Sequence, residues 1–324
     1  MAGEREEPTN EIQEFPLVCS VVVNYRDPED TKRCLRSVCS LDYERHETVV
    51  VNNDDDFGGA NDIAESFPEC TVIVTGENLG FSSGFNTGIE FALEMGADVV
   101  SILNNDIVVD EAFLKAGMKT IHQEDNVGIV GGKIYKYDDG PTNTIWTAGG
   151  KMSWLRARGV GYGFGEKDWG QCDEKMDVEF IPGAQMLVRR DVFERVGLLP
   201  EAYFLGGEEW EFCHKVREAG YTIRYEPSVV AWHKVTYSSK DTYSMFYNDF
   251  RNRLLYTYRC YSMLGWLVWL IVLLVFAHTW LWVKYHNNRP GVIYIAAMRA
   301  LYRTIVERSF QTTRAEYEAA LHRD

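Results

Sequence analysis

Three polar residues follow an apolar run in the stretch 103–110, LNNDIVVD. The preceding letters, ADVVSI, predict a buried β-strand, and Asn104, Asn105 and Asp106 stand where its hydrophobic part ends. A carboxylate flanked by amides at the tip of a strand offers the oxygen ligands that a hard divalent cation prefers. The pattern therefore indicates a cation site at the mouth of the core, with Asp106 as its ligand.

A second group of chemically capable side chains is the acidic pair Glu208 and Glu209, which follows the turn-forming residues Gly206 and Gly207. Neighbouring carboxylates raise one another's pKa, and this prepares one of them to act as a general base. The alternative is a charge bias at a helix N-terminus, where acidic side chains interact favourably with the helix dipole. The residues alone leave both interpretations open.

The elements that must position these groups alternate between strand and helix at the front of the chain. Runs of β-branched residues predict strands, and apolar residues at helical spacing predict helices. This order implies an α/β fold with a mostly parallel central sheet and helices on both faces, in which ligands bind at the carboxyl ends of the strands. The predicted strands are 17–25, 47–53, 70–76 and 97–106, and the predicted helices are 27–41, 60–67 and 80–96.

Polar side chains end three of these predicted strands. They are Asn24 in the first, Asn52 and Asn53 in the second, and Asp106 in the fourth. Taken singly, each asparagine is better explained as a helix cap or a turn residue. Taken together at the carboxyl ends of parallel strands, they predict one nucleotide-binding crevice.

Five motifs then occur in one order along the chain. An N-x-G-x-x-x-G-x-N segment occupies residues 78–86, and the strand ending in Asn-Asn-Asp follows it. Residues 181–233 contain a small-residue turn, an arginine pair, the acidic pair and a late histidine, and 247–259 carries Arg-Asn-Arg. Residues 17–259 thus resemble the family 2 glycosyltransferases with the GT-A fold, in particular their rhamnosyltransferase-like branch. The resemblance implies a catalytic domain over residues 15–259, after a flexible N-terminus at 1–14.

The resemblance also implies an activity, inverting transfer of a sugar from a nucleotide-sugar donor with Mg²⁺ or Mn²⁺ as cofactor. Its metal ligands would be Asp106 and His233, although His233 alone would be interpreted as a structural histidine after a strand. Its general base would be Glu209, with Glu208 as the second candidate. The implied donor-binding residues are Val23, Asn24, Tyr25, Asn52, Asn53, Asn78, Gly80, Gly84, Asn86, Asn104 and Asn105.

Three departures from the family pattern affect these expectations. Asn52 and Asn53 end the second strand, where family members often carry Asp-Asn with the aspartate contacting the base. The acidic pair is Glu-Glu and not Glu-Asp. The serines that follow the late histidine, Ser238 and Ser239, stand at an unfamiliar spacing.

Residues 136–180 are rich in glycine, charge and aromatic side chains. They contain no strand-Gly-x-Gly-x-x-Gly-helix order, so they are not a dinucleotide fingerprint. One interpretation is a mobile loop over the acceptor, with Trp146, Trp154 and Trp169 stacking on sugar. The other is an ordinary surface loop with aromatic anchors.

A membrane-anchoring helix is predicted over residues 260–286. Its central stretch, 262–283, has no formal charge, and a helix of that length reaches ~33 Å, enough for the ~30 Å core of a bilayer. Basic residues flank both ends, so a span, a hairpin, an in-plane anchor and a buried core helix all remain open. Residues 287–324 mix apolar and basic residues and predict an amphipathic or polar tail along the headgroups.

Composition excludes some functions and suggests a compartment. The net charge of −15 argues against nonspecific nucleic-acid binding, which needs cationic contacts to phosphate. An acidic chain with little lysine suits the salt-rich cytoplasm of a halophilic archaeon, or it is simply an acidic surface. The seven cysteines include no CxxC pair, which favours buried thiols in a reducing compartment.

These observations predict an enzyme at the cell membrane with its catalytic domain on the cytoplasmic side, since no apolar signal segment opens the chain. The expected acceptor is lipid-linked, for example a dolichyl-phosphate glycan on the route to protein N-glycosylation or surface polysaccharide. Other glycan-assembly enzymes would be its partners. Two alternatives are an inactive transferase-like subunit that binds nucleotide or acts as a scaffold, and a sugar nucleotidyltransferase. Sugar nucleotidyltransferases carry a Gly-rich loop with Arg and Lys after the first strand. This sequence has no such loop, which argues against the second alternative.

Overall fold

The computed structural model describes residues 15–55, 57–235 and 242–272. The strands are β1 (Val18–Asn24), β2 (His46–Asn52), β3 (Thr71–Val74), β4 (Val99–Asn104), β5 (Ile107–Val109), β6 (Val127–Tyr137), β7 (Pro141–Thr147), β8 (Gly150–Ser153), β9 (Arg158–Gly161), β10 (Met176–Asp177), β11 (Gln185–Arg189) and β12 (Thr222–His233). The helices are α1 (Pro28–Val38), α2 (Phe57–Ser66), α3 (Phe81–Glu94), α4 (Phe113–Gln123), α5 (Arg190–Val196), α6 (Glu208–Glu218) and α7 (Thr242–Cys260).

One mixed sheet forms the centre of the fold. Its strand order is β10-β12-β6-β11-β4-β1-β2-β3, with β5 beside β12 and β7 beside β6. The predicted parallel arrangement is correct for β1 to β4, because β1 pairs in parallel with β2 and β4, and β2 with β3. The sheet as a whole is mixed, because β11 lies between β4 and β6 and runs antiparallel to both.

Helices cover both faces of the sheet, as the sequence predicted. Successive side chains of a strand point to opposite faces. Accordingly, Cys19 and Val21 pack into the core that contains α3, α5 and α6. Val18 and Val22 pack into the core that contains α1, α2 and α4. Both faces of β1 are therefore covered, and only Val23, next to the polar residue at the carboxyl end, is partly exposed.

The glycine-rich region 136–180 is not the mobile loop that was one expectation. It contains β7, which pairs with β6, and an antiparallel hairpin of β8 and β9. The glycines serve packing, because a Cβ on Gly150 or Gly159 would lie 2.4 or 2.5 Å from the ring of Phe180. The hairpin therefore lies directly on an aromatic side chain of the core.

A helix over residues 263–272 follows α7 and begins the predicted membrane segment. Nowhere in the described part of the chain is there a helix both long and apolar enough to cross a membrane. The remainder of the predicted segment 260–286 lies outside the described residues, as do the predicted flexible N-terminus 1–14 and the predicted tail 287–324.

Candidate functional site

The carboxyl ends of β1, β2 and β4 meet at one edge of the sheet because these strands are parallel. The register places Asn24 beside Asn52, and Val23 beside Asn104. A cleft of about 220 Å³ opens at this edge. It is lined by Val23, Tyr25, Asp27, Asp30, Asn53, Asn78, Gly80, Phe81, Phe85, Asn104, Asn105, Asp106, Phe204 and Leu205.

Two of the predicted donor-binding residues, Asn24 and Asn52, are outside this lining and almost fully buried. The Asn24 amide Nδ2 donates to Oδ1 of Asn52 at 2.6 Å. The hydroxyl of Thr31 donates to Oδ1 of Asn24 at 2.7 Å. These bonds tie β1 to β2 and to α1, so the two asparagines support the strand ends that carry the cleft.

Asn53 and Asn78 do line the cleft, and together they fix a tight corner before α3. The Asn53 amide donates to the carbonyl of Gly80 at 2.9 Å and accepts from the Leu79 amide at 2.9 Å. Asn78 Oδ1 accepts from the Gly80 amide at 2.9 Å. Gly80 has φ +85°, and a Cβ there would lie 2.8 Å from the carbonyl oxygen of Phe204. Glycine is therefore required at this corner.

Gly84 and Asn86, also predicted to bind the donor, lie away from the cleft lining. A Cβ on Gly84 would meet the Asn53 amide nitrogen at 2.7 Å, so this glycine lets α3 approach the corner. The Asn86 amide donates to the Leu199 carbonyl at 2.9 Å, and its Oδ1 accepts from the Leu199 amide at 3.0 Å. Both residues serve packing in this structure: one positions α3 and the other holds the loop before α6.

The structure brings the two predicted metal ligands together. His233 ends β12, which pairs with β5 immediately after Asp106, so that His233 lies opposite Ile107. His233 Nε2 and Asp106 Oδ1 are 2.9 Å apart, and both side chains are largely buried. The other ring nitrogen of His233, Nδ1, is buried and finds no hydrogen-bond partner among the described residues. Trp146, for which stacking on sugar was one interpretation, packs edge-on against His233, with centroids 4.5 Å apart.

This pair fits a divalent cation. Two ligands ~2.1 Å from an octahedral ion and adjacent to each other lie ~3.0 Å apart, close to the separation seen. Among the described residues, no group of three or more His, Cys, Asp or Glu side chains forms a complete metal cage. Asp106 and His233 could supply two ligands of such an ion, with water and ligand phosphates in the other positions, which is how Mg²⁺ is usually held.

The sequence interpretation missed an ion pair beside this site. Lys234 Nζ donates to both carboxylate oxygens of Asp30 at 2.9 Å. Burial alone would raise the pKa of Asp30, but its bonds to Lys234 and Arg33 outweigh burial and lower the pKa below its usual value. Asp30 lies in the first turn of α1. The one sequence signal for the pair was a lysine directly after the late histidine.

The acidic pair lies at the N-terminus of α6, where Gly207 adopts φ +92°. Glu208 is 3% exposed, and its Oε2 has no hydrogen-bond partner in the described part of the chain. Burial, followed by the charge of Glu209, raises the pKa of Glu208 well above its usual value. Glu209 accepts a hydrogen bond from the Gly207 amide at 3.0 Å, and burial raises its pKa as well. The positive charge of Arg158 in β9 opposes this rise.

Neither glutamate is part of the cleft lining, but Glu208 lies close to a residue that adjoins the lining. A Cβ on Gly183 would lie 3.3 Å from the ring of Phe81 and 3.6 Å from Oε1 of Glu208. Phe81 lines the cleft. Gly183 is therefore close to both the Phe81 ring of the cleft and the carboxylate of Glu208.

The Arg-Asn-Arg motif of α7 holds the loop that connects the cleft to the acidic pair. The Asn252 amide donates to the carbonyl of Leu205 at 2.9 Å and also to that of Gly206. The Arg251 guanidinium donates to the carbonyl of Ala202 at 2.9 Å. Both side chains are at least 96% buried. This motif is thus a clamp on the backbone of residues 202–206.

The chain is similar to several known proteins. The family model "Glycosyl transferase family 2" matches residues 19–197. The low-salt glycan biosynthesis hexosyltransferase Agl10 of Haloferax volcanii is 29% identical over 240 residues, which cover 72% of this chain and 73% of the relative. An N-acetylglucosaminyl-diphospho-decaprenol L-rhamnosyltransferase of Mycobacterium tuberculosis is 24% identical over 68% of this chain and 76% of its own. The mannosyltransferase PcManGT of Pyrobaculum calidifontis, solved with GDP-Man and Mn²⁺, aligns with a TM-score of 0.54 and 16% identity, covering 95% of this chain and 86% of that one.

A mixed α/β sheet with its cleft at the ends of the parallel strands is the architecture of the GT-A glycosyltransferases, and these neighbours share it. The match to the family model extends over more than half of the residues. The chain belongs to glycosyl transferase family 2 and is a glycosyltransferase of glycan biosynthesis.

Proposed function

We propose that this enzyme is an inverting, metal-dependent glycosyltransferase that moves a sugar from a nucleotide-sugar donor to a lipid-linked glycan acceptor. The observation that carries the proposal is the Asp106–His233 pair, 2.9 Å apart at the edge of a strand-end cleft. Three carboxylates line that cleft, those of Asp27, Asp30 and Asp106. Such a cleft repels a diphosphate unless a cation is added, and the carboxylate–imidazole pair offers the ligands for one.

On the donor side, the residues of this chain bind and orient the nucleotide sugar. Asp106 and His233 would hold Mg²⁺ or Mn²⁺, which when bound neutralises charge on the leaving diphosphate. The first turn of α3 begins at Phe81 beside the cleft, and the backbone amides at a helix N-terminus favour anions. The corner made by Asn53 and Asn78 keeps that helix end in place.

On the acceptor side, Glu209 is the proposed general base. Its carboxylate takes the proton from the acceptor hydroxyl while that oxygen attacks the anomeric carbon and the diphosphate leaves from the opposite face. Attack and departure on opposite faces invert the configuration of the sugar. The raised pKa of Glu209 suits this role because a more basic carboxylate accepts a proton more readily near neutral pH.

The lipid-linked acceptor and the membrane location are supported by two observations. One relative is named for action on a diphospho-decaprenol, which is a lipid carrier, and another, from Haloferax volcanii, for low-salt glycan biosynthesis. The stretch 262–283 has no charged residue and would keep the enzyme beside such a carrier. We propose that the catalytic domain faces the cytoplasm, that the source is a halophilic archaeon, and that the acceptor is a dolichyl-phosphate glycan used in N-glycosylation.

The test uses the full chain in detergent with a panel of nucleotide sugars and a membrane lipid extract. Turnover should vanish in excess chelator and return with Mg²⁺ or Mn²⁺. Asp106→Asn should reproduce the loss and weaken Mn²⁺ binding measured by calorimetry. Asp42→Asn is the matched control, since Asp42 is an exposed carboxylate that pairs only with Lys115 among the described residues.

Full turnover in excess chelator would contradict the metal role of Asp106. Donor binding without turnover for any sugar nucleotide and lipid would favour the inactive-subunit alternative. Turnover that is equal with water-soluble and lipid-linked sugars would contradict the lipid-linked acceptor.

A further inference from the structure

An exposed apolar surface lies on the acceptor side of the molecule, and we call it the apolar ledge. It consists of the tip of the β8–β9 hairpin and one side of the helix at 263–272. The ledge side chains in the helix repeat at helical spacing. All side chains of the ledge are large and apolar, yet they are exposed to solvent. They are Trp154, Leu155, Met263, Leu264, Leu267, Val268 and Ile271, with exposures between 42% and 73%.

Hydrogen bonds and stacking make the two parts of the ledge one surface. The Tyr261 hydroxyl donates to the Trp154 carbonyl at 2.8 Å, and the Trp269 indole donates to the Leu155 carbonyl at 3.1 Å. The rings of Trp154 and Tyr261 are stacked with centroids 5.8 Å apart. Trp269 is 2% exposed, so it forms a buried contact between the hairpin and the helix. The hairpin tip and the outer side of the helix therefore cannot be placed in different environments independently.

Charge around the ledge differs from charge elsewhere in the chain. The chain carries a net −15, yet no Asp or Glu lies between Asp139 and Glu166 or between Asp249 and Glu307. The hairpin contributes the exposed cations Lys151, Arg156 and Arg158. An anionic lipid surface would repel most of this protein but attract this part of it. A symmetric contact between two copies would instead bring the same basic hairpins together, which is unfavourable.

We propose that the apolar ledge is a membrane-contact site that seats the hairpin tip among the headgroups of a leaflet containing anionic lipid. This proposal rests on the proposed function, in which the acceptor is carried by a lipid. It adds a second point of contact to the predicted anchor, because the hairpin is more than a hundred residues before that segment in the sequence. Amphipathic surfaces with Trp and Leu on the apolar side and Arg beside them bind in this way.

A membrane contact at the ledge would affect the reaction by setting the position of the acidic pair relative to the lipid surface. Arg158 belongs to the same hairpin and acts electrostatically on Glu209. On the other side, Arg259 at the end of α7 pairs with Glu211 of α6 at 3.1 Å. A ledge seated in the headgroups would therefore hold the acidic pair next to the lipid surface. The sugar of a lipid-linked acceptor would meet the base there without the lipid leaving the membrane.

Site-specific photo-crosslinking tests the contact directly. The full chain is reconstituted in phosphatidylglycerol vesicles with the variant Leu155→p-benzoylphenylalanine. Ile271→p-benzoylphenylalanine probes the helix, and Trp169→p-benzoylphenylalanine is the control at a side chain that is 79% exposed outside the ledge. After irradiation, mass spectrometry should find phospholipid adducts at positions 155 and 271 and none at 169.

Lipid adducts at 271 without any at 155 would overturn the proposal while leaving membrane anchoring and the proposed function intact. Adducts from 155 to a second chain, or to residues 273–324 of the same chain, would overturn it in favour of a protein partner. Adducts at 155 and 169 alike would show indiscriminate labelling and also overturn it.

A kinetic test separates the ledge from the catalytic chemistry. Leu155→Asp should lower turnover of a lipid-linked acceptor in anionic vesicles by about tenfold, the effect of losing one buried leucine from the contact. Hydrolysis of the nucleotide-sugar donor should be unchanged, and Phe15→Asp, a change at a 54% exposed side chain before the amino end of β1, should behave as the unmodified enzyme in both assays. Equal loss of both reactions by Leu155→Asp with an unchanged Tm would overturn the proposal, since the hairpin would then act on the chemistry and not on the lipid contact.

Discussion

The donor side and the acceptor side of this enzyme are built in different ways. Most of the donor side comes from strands and helices within residues 18–109, to which later parts of the chain add His233, Phe204 and Leu205. The acceptor side combines the β8–β9 hairpin, the start of α6 and the helix α7, which are far apart in the sequence. One side presents polar groups because strands end there, and the other exists only because long-range contacts bring three elements together.

Those long-range contacts are few and specific. Asn252 and Arg251 hold the backbone of the 202–206 loop, and Arg259 pairs with Glu211, which is 2% exposed. Tyr261 joins the hairpin. A change on the acceptor side should therefore affect catalysis more than donor binding.

The largest effect is expected at Glu209. Glu209→Gln keeps the shape of the side chain and removes its basicity, so turnover should fall by ~10²–10⁴, the usual contribution of a general base. Donor affinity, measured by calorimetry with the nucleotide sugar, should change little because the strand-end contacts are untouched. Glu209→Asp should keep more activity than Glu209→Gln because it still accepts a proton, although its reach is shorter.

Glu208→Gln serves as the matched neighbour and should be milder in steady-state turnover. If Glu208→Gln is instead the severe change, the base is Glu208 and the role of Glu209 is wrong. If both variants turn over normally, the pair is only a charge cluster at a helix start.

The contrast between the two sides also explains what the sequence could predict. The strands and helices up to Asp106 follow from residue periodicity, and the cleft follows from the rule that ligands bind at the carboxyl ends of parallel strands. The meeting of Asp106 with His233 came from family resemblance, because nothing local brings the end of β12 to β5. The antiparallel insertion of β11 could not be inferred from its letters, which indicate a strand but not its neighbours.

Single-residue roles were harder to predict than the cleft itself. Asn24, Asn52 and Asn86 all stand in positions that suggest ligand contact, but each has its side chain engaged by protein atoms. Whether an amide points to a ligand or to a neighbouring backbone depends on tertiary geometry that one sequence does not reveal. The glycines of the hairpin were interpreted as flexibility, whereas the ring of Phe180 leaves no room for a Cβ.

The second prediction compares one buried amide from each side. Asn24→Ala and Asn252→Ala each remove hydrogen bonds from a buried site, so each should lower the free energy of unfolding by about 1–3 kcal/mol. They should differ in function. Asn24→Ala should weaken binding of the nucleotide sugar because it loosens β1 against β2. Asn252→Ala should lower acceptor-dependent turnover more than donor affinity, because it releases the 202–206 loop, of which only two residues line the cleft.

Denaturant unfolding, donor calorimetry and acceptor turnover on the same preparations provide the comparison. A surface amide, Asn61→Ala, is the control because its side chain is exposed in α2. If both buried variants lose donor affinity equally, the two sides are one coupled unit and the contrast drawn above is wrong.

The smallest effect concerns stability and pH, and it depends on Glu208. Burial and the charge of Glu209 raise the pKa of Glu208 well above its usual value, so the folded protein holds this proton more tightly than the unfolded chain does. The stability that protonated Glu208 contributes is complete below the pKa of an unfolded glutamate, ~4.3, and is lost as pH rises through the raised folded value.

The variant Glu208→Gln cannot ionise. Its Tm should therefore stay close to that of the unmodified enzyme in acid and exceed it by a few degrees at alkaline pH. A stability difference of ~1 kcal/mol corresponds to about 2–4 °C in the Tm of a domain of 150–250 residues. Calorimetric scans across this pH range provide the measurement, with Glu90→Gln as the control at an exposed position of α3. A difference in Tm that stays constant with pH would show that Glu208 keeps one charge state throughout, and its buried oxygen Oε2 would then need a partner that is supplied by the acceptor or by water.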